Sequence, residues 1–375
     1  MLESLNKVVV SRSALRHNFS LCKHQAGNSA VMAMVKADGY GHGMEECARV
    51  FAGCGAAAFG VAEVVEGVRL RRAGFEQPIF ILAGILPEFY EALFTYQLTP
   101  VLVDGTLVPS LGREAVVRKK EIAVHLKVDA GMGRQGFPSA ELPAVVAAIT
   151  SREGLHLQGI MAHFPMADDA NPANSDGILA DFLQAVTGLR PEIQQDICLH
   201  IANSGGLFSV DGTSLDMVRP GISLYGYGAS GAGGEQGTAE GQLIPAMRFV
   251  SRVIQIREVP AGTGLGYGHI FTTGRKTRLA VLPVGYEDGY LRSLSNKARV
   301  LLHGRSAPVV GRISMNLTLV DVTDLGEVQV GDEAVLLGSQ GPETITADEI
   351  GGWMETISYE VLCLLGHCNR IEYVD

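Results

Sequence analysis

Cysteine, tryptophan and positive charge are all in short supply in this 375-residue chain, and no apolar run in it is long. The six cysteines, Cys22, Cys47, Cys54, Cys198, Cys363 and Cys368, are scattered. That excludes the dense disulfide framework of a small secreted scaffold and suits reduced thiols in a cytoplasm. Cys363, His367 and Cys368 lie near one another but have no matching second pair, so no metal site is expected. Lys and Arg number 30 against 40 Asp and Glu, a formal net charge of −10. Without a basic stripe the chain has no means to hold a phosphate backbone, which excludes a nucleic-acid partner. No apolar run approaches the roughly 18 residues a membrane span requires. The opening MLESLNKVVVSRS carries Glu3 and is too weakly apolar for a secretory signal. The expectation is a cytoplasmic protein with no membrane partner.

Hydrophobic residues make up 47% and charged residues 19%, a globular composition. A chain this long can bury a large core and is expected to form two domains, or one barrel with an addition. Short β-rich runs occur at Ala30–Lys36, Ala57–Val61, Pro78–Leu82, Leu98–Val103, Glu121–Val128, Leu155–His163, Asp196–Ala202 and Leu215–Val218. Between them Met44–Cys54, Glu63–Gly74, Pro87–Gln97, Thr106–Lys120, Ser139–Glu153 and Ser175–Gln195 have helical period, with Ser139 placed as an N-cap and Ser175 followed by Asp176. Eight strands with helical crossovers predict an α/β fold with an N-terminal (β/α)8 TIM-type barrel. Gly226–Gln242 is rich in glycine and reads as a linker. Beyond it the strands Phe249–Val259, Arg278–Val284, Arg299–Leu302, Leu317–Val322 and Glu333–Leu337 predict a C-terminal mostly β domain, with Thr346–Met354 its one expected helix. The division is 1–240 and 241–375, with a first strand near 6–11 as a candidate to pack with the second part.

Barrels of this kind do their chemistry at the carboxyl ends of their strands, where this chain places Lys36, Asp129, His163, Asn203, Ser204 and Arg219. Asn-Ser-Gly-Gly after strand seven and Arg-Pro-Gly-Ile after strand eight suit a phosphate held by backbone N–H groups and a hydroxyl, with Ser204 and Gly221 well placed. A lysine across the same mouth suggests a phosphorylated carbonyl held as a Schiff base, and pyridoxal 5′-phosphate fits. Lys36 would then work as a neutral amine, favoured by burial and a cationic neighbour. Arg219 has donors and no acceptor, so facing a pyridine nitrogen it would keep that nitrogen unprotonated and weaken the electron sink.

With these residues in place, the chain resembles the bacterial alanine racemase family along nearly its whole length. KADGYGHG around Lys36, HLKVDAGMGRQGF, ANS at Ala202–Ser204, VRPGISLYG and ETISYEVLC occur in the family's order. The resemblance implies that Lys36 is the Schiff-base lysine and base on one face of the substrate α-carbon. Tyr267, in LGYGHIF, is then the base for the other face, contributed by a second copy in a head-to-tail homodimer with shared active sites. It also implies that Tyr40 reaches the cofactor phosphate, with Asn203, Ser204, Gly221 and Ile222 around it, and that His163 and Arg219 tie the tyrosine and cofactor together. Arg134 is implied for the cofactor's phenolic oxygen and the substrate carboxylate, and Lys127 for carbamylation, which would give Arg134 an anion. Met315 in GRISMN supplies a backbone N–H to that carboxylate, while Tyr286 and Tyr359 narrow the entrance, Tyr359 also lying beside the cofactor. The family often has Cys or Ser where Ser314 stands, and the chain departs from it at Asn316, often Asp there; Asn keeps the shape and drops the charge. Glu287, in GYEDGY, reads as surface variation.

Gly131-Met-Gly-Arg-Gln-Gly136 is a literal G-x-G-x-x-G, but Pro138 and Ser139 put the helix start after the last glycine and no acid ends a strand some 20 residues on. A nicotinamide oxidoreductase is therefore rejected. A non-catalytic pyridoxal-phosphate carrier would resemble the barrel alone, and a barrel-type decarboxylase lacks the second-domain motifs. A racemase of serine or of a broader amino-acid range is the alternative, and the entrance tyrosines favour L- and D-alanine as substrates.

Overall fold

The computed structural model describes residues 4–167, 173–189, 196–228 and 242–375. They form two compact units, each interrupted in sequence. One comprises residues 15–39 and 44–243, the other the chain up to Ala14, Tyr40–Gly43 and Ile244–Asp375. The expected boundary at 240/241 lies outside the described residues.

The first strand, β1 (Lys7–Ser11), belongs to the second unit. The barrel then follows: β2 (Ala30–Met34), β3 (Ala58–Val61), β4 (Ile79–Ile81), β5 (Thr99–Leu102), β6 (Ile122–Lys127), β7 (Leu155–Met161), β8 (Cys198–His200) and β9 (Met217–Val218). All neighbours in this sheet are parallel and in sequence order, with β9 beside β2. Asp216 N–H to Leu199 O at 3.1 Å and Arg219 N–H to Ala202 O at 2.9 Å close the ring between β8 and β9. Parallel strands covered on both faces read as continuous apolar runs, which is why all eight fall where the sequence places them. Val31 to Ala33, Phe59, Val61, Ile79 to Ile81 and Val101 are all nearly fully buried.

Two helix starts differ from expectation. Pro138 occupies the N-cap position, and Ser139 opens a 3-10 turn that leads into the helix Leu142–Thr150. Proline fixes φ for that start without needing a hydroxyl cap. Ser175 lies inside the helix Ala173–Thr187 and donates to Met166 O at 3.3 Å. Residues 190–195 of the expected helix and 229–241 of the expected linker lie outside the described residues.

In the second unit the elements are β10 (Met247–Arg252), β11 (Gln255–Val259), β12 (Gly264–Leu265), β13 (Phe271–Thr272), β14 (Thr277–Leu282), β15 (Arg299–Leu302), β16 (Arg305–Pro308), β17 (Thr318–Asp321), β18 (Glu333–Gln340), β19 (Glu343–Ile345) and β20 (Ile371–Val374). One sheet runs β16-β15-β18-β10-β1-β20, and a second runs β11-β14-β17. The single strand expected over Phe249–Val259 is in fact two. Val253 N–H bonds Asp332 O and Ile254 N–H bonds Val281 O, each at 2.9 Å, so the chain changes sheet at that point. A second helix, Ser358–Cys368, joins the expected one. It buries Ser358, Val361, Leu362, Leu365 and Gly366, the spacing of one helix face.

Candidate active site

Strand β2 stops at Met34, and half-buried Lys36 opens a tight turn in which Ala37 (φ 52°), Asp38 (φ 52°), Gly39 (φ 65°) and Tyr40 (φ 53°) are all left-handed. Each non-glycine residue there costs roughly 1–2 kcal/mol. Acidic side chains hold the turn: Glu66 accepts from Ala37 N–H at 2.7 Å and from Ala62 N–H at 2.8 Å. Asp38 accepts from Met44 N–H and from the Arg69 guanidinium, each at 3.2 Å. A cation ends the strand because the backbone reverses there and presents Lys36 at the barrel mouth.

Beside it, past the ends of β8 and of β9, which pairs with β2, Ser204 is buried, and its Oγ accepts from Gly221 N–H at 2.9 Å and Ser223 N–H at 3.3 Å. Ser223 Oγ is buried without a hydrogen-bond partner among the described residues. Two hydroxyls and two backbone N–H groups converging here fit a phosphate group. Ile222 lies between the two N–H donors and is itself buried. Asn203 caps the short helix Ser204–Ser209, accepting from Gly206 N–H at 2.9 Å and donating to Phe164 O at 3.2 Å.

Arg219, 3% exposed, donates to His200 Nδ1 at 2.9 Å, Ala162 O at 2.7 Å, Ile201 O at 3.1 Å and His163 Nδ1 at 3.3 Å. Burial draws its pKa down to about 9, so it stays charged at neutral pH. Burial, then Arg219, Lys127, Lys36 and Arg134, push His163 down to about 2, which keeps it neutral. Arg219 cannot accept, so His163 takes that bond on Nδ1 and carries its proton on Nε2. Asn203 Nδ2, 3.4 Å from that nitrogen, is also a donor, and the charge-assisted bond decides the tautomer.

Lys127, 4% exposed at the end of β6, donates to Gln135 Oε1 at 3.1 Å. Burial, with Arg134, Arg219 and Lys36 opposing its charge and Asp129 favouring it, lowers its pKa to about 8. Asp129 Oδ1 accepts from Gly131 N–H at 3.2 Å and Gly133 N–H at 2.9 Å. The G-x-G-x-x-G run is thus a loop folded on its own aspartate, ahead of the Ser139 turn and clear of any helix start. Arg134 projects from this loop and is exposed.

The second unit carries the remaining candidates. Tyr40 is 8% exposed, its ring centroid 6.1 Å from that of Tyr359. Burial, reinforced by Tyr359 and Cys363, pushes its phenol far up, so it is a neutral O–H donor. Tyr267 stands in a 3-10 turn, Tyr267–His269, and is 72% exposed. Tyr286 and Met315 are brought together: Tyr286 N–H bonds Ser314 O at 3.2 Å and Glu287 N–H bonds Met315 O at 3.1 Å. Asn316 Nδ2 donates to Glu287 Oε2 at 3.2 Å. Both residues are exposed, so the contact lies at the surface, and the charge that Asn316 lacks stands on the neighbour its amide holds. Sequence reasoning also missed Glu66, Gln135, His200 and Ser223. Of these only His200, a lone histidine in an apolar strand, left a visible signal.

Residues 10–229 match the family model described as alanine racemase, N-terminal domain, and residues 246–373 match alanine racemase, C-terminal domain. A curated alanine racemase of Syntrophobacter fumaroxidans is 40% identical over 366 residues, covering 97% of this chain and 96% of its own. The crystal structure of alanine racemase from D-cycloserine producing Streptomyces lavendulae superposes with a TM-score of 0.92 at 30% identity, covering 100% of this chain and 98% of its own. That of the Bartonella henselae enzyme, which has covalently bound pyridoxal phosphate, gives 0.89 at 28% identity, covering 98% and 99%. The chain belongs to the alanine racemase family.

Proposed function

We propose that this chain interconverts L-alanine and D-alanine with pyridoxal 5′-phosphate by a two-base mechanism, and so supplies D-alanine for peptidoglycan in the cytoplasm. The observation that carries the reading is the barrel mouth. Lys36 follows the end of β2, the hydroxyl and N–H cradle of Ser204, Gly221 and Ser223 follows the ends of β8 and of β9 next to β2, and Arg219 is fixed by four hydrogen bonds. When bound, the cofactor supplies an electron sink that acidifies the substrate α-proton.

The residues do the rest. Lys36 holds the cofactor covalently and moves the proton on one face; Tyr267 of a second copy moves it on the other. Racemisation in both directions needs an acceptor on each side of the carbon. A phenol has a reference pKa of about 10, so it needs cationic help to act near neutrality. His163, with its proton on Nε2 and a guanidinium behind it, can donate toward a phenolate. Tyr40, kept neutral, donates to the phosphate beside Asn203, Ser204, Gly221 and Ile222. Arg134 and the Met315 N–H receive the substrate carboxylate, and Tyr286 and Tyr359 limit the size of what enters. At a pKa of about 8 Lys127 has a neutral fraction able to add carbon dioxide, and the resulting carbamate would be an anion for Arg134.

A homodimer with shared active sites follows from the role of Tyr267. Its 72% exposure, with Ile270, Met315 and Leu317 also exposed in the same unit, supports the reading. The test is deuterium incorporation at the α-carbon of each alanine enantiomer and of L-serine, with borohydride reduction and peptide mapping at Lys36. Exchange into both alanines with label on Lys36 is expected. A protein that binds the cofactor at Lys36 and exchanges neither would be a carrier, which overturns the proposal.

A further inference from the structure

Two buried histidines deeper in the barrel have no part in the scheme above except through Arg219. His125 on β6 and His200 on β8 are 1% and 0% exposed, and His125 Nδ1 lies 2.9 Å from His200 Nε2. Arg219 can only donate, so its 2.9 Å bond to His200 Nδ1 makes that nitrogen an acceptor. A neutral His200 then carries its proton on Nε2 and donates it to His125 Nδ1. Neutrality follows from burial beside a guanidinium: burial, then Arg219, hold His200 well below its usual range. Burial, partly offset by Gln158, takes His125 to about 4. The three groups form one directional chain, Arg219 to His200 to His125.

We propose that His125 is a positioning residue whose acceptor nitrogen fixes the His200 tautomer and, through it, the Arg219 guanidinium. This rests on the reading of Arg219 as the group facing the cofactor ring. Without an acceptor at Nε2, the buried His200 N–H is left unpaired, a cost that offsets the Arg219 bond and lets the tautomer protonated on Nδ1 compete. Two donors would then meet at the Arg219 contact, and the guanidinium would lose one of its bonds.

The surrounding structure is shaped for an imidazole. A Cβ on Gly159 would collide with His125 Cε1 and Nδ1, so this β7 position needs glycine for close approach. The β6–β7 pairing shifts register between Val124 and His125, a bulge that aims the ring inward. Phe80 of β4 packs edge-on against His125 with ring centroids 4.8 Å apart, so β4, β6 and β8 share one interior layer, as alternate barrel strands do. An aliphatic side chain would fill this space without a buried polar atom to satisfy. The retained hydrogen-bond chain points to positioning.

The test has two arms. Imidazole 15N spectra of the cofactor-free wild type should show His200 with a pyridine-type Nδ1 and a pyrrole-type Nε2; the reverse or a mixture overturns the proposal even if no variant folds. His125→Leu and His125→Asn are alike in size and differ in the acceptor. Loss of one buried hydrogen bond should raise the pyridoxal-phosphate dissociation constant of the Leu variant about tenfold and mix the His200 tautomers. The Asn variant should stay within about threefold of wild type, below the 1.4 kcal/mol that a factor of ten represents. Equal losses in both variants would mean that His125 only fills space. A wild type that binds no cofactor would sink the reading of Arg219, while the cofactor-free spectra would still decide this one.

Discussion

Replacing Gly366 with alanine should damage cofactor binding from the C-terminal helix. Gly366 lies on the buried face of Ser358–Cys368, where an added Cβ would meet the Gly41 carbonyl carbon, oxygen and Cα. Ordinary carbon contacts of about 3.5–4.0 Å require that segment to retreat by more than roughly 1 Å. Gly41 is just as close to the preceding turn of the same helix, since its own Cβ would meet Leu362 O. Overpacking of this kind costs about 1–3 kcal/mol, and two backbones in contact belong at the upper end. Alanine returns about 1 kcal/mol through helix propensity, which leaves a net loss near 2 kcal/mol. Gly352→Ala is the control, because that helical position opens on space and should gain up to about 1 kcal/mol. Urea denaturation followed by circular dichroism reads the stability, and fluorescence titration with pyridoxal 5′-phosphate reads the affinity. The affinity should fall in the Gly366 variant because Gly41 adjoins Tyr40. A Gly366→Ala protein as stable as Gly352→Ala, with unchanged cofactor affinity, would refute the reasoning.

Four further outcomes are expected. Lys36→Ala abolishes exchange of both alanine enantiomers, while Tyr267→Phe mainly cripples proton removal from L-alanine; equal residual rates in both directions would count against the two-base assignment. In carbonate-free buffer the depressed Lys127 pKa means that the unfolded chain holds this proton more tightly than the native one. Stability should therefore rise as pH climbs from about 8 towards the ordinary lysine range, and denaturation of Lys127→Met should lack that component. Asn316→Asp sets two carboxylates against each other at the Glu287 contact and should lower the melting temperature by an amount worth up to about 1 kcal/mol, with Glu287→Ala restoring it; additive effects would show that the pair is uncoupled. Ser204→Ala strands the Gly221 and Ser223 N–H groups and should cost about 1–3 kcal/mol in the cofactor-free protein, measured by urea denaturation.

The barrel was legible because its strands are short, mostly apolar runs, and the polar residues at Lys36, His163, Ser204 and Arg219 stand where those strands end. The second unit was less so. The apolar run through Val253 and Ile254 is continuous in sequence, and only the hydrogen bonds to Asp332 and Val281 divide it into β10 and β11. Ser358–Cys368 has a helix's period, but its apolar content blends with the β-rich surroundings. The supporting polar residues were hidden for another reason. Glu66 and Gln135 act on backbone and side chains brought close by folding, 29 and 8 residues away, and nothing in their local sequence marks them. The contact of Glu287 with Asn316, 29 residues on, was hidden in the same way.

Strand β1 lies between β10 and β20, antiparallel to the first and parallel to the second, though 235 residues of chain separate it from β10. Severing the gene near residue 243 would therefore not yield two transplantable modules. The downstream fragment would lack an inner rung of its main sheet and expose two raw edges, and the upstream one would carry that rung as an orphan. Chimaeras between relatives should tolerate a junction there only when the first dozen residues travel with the last hundred and thirty or so.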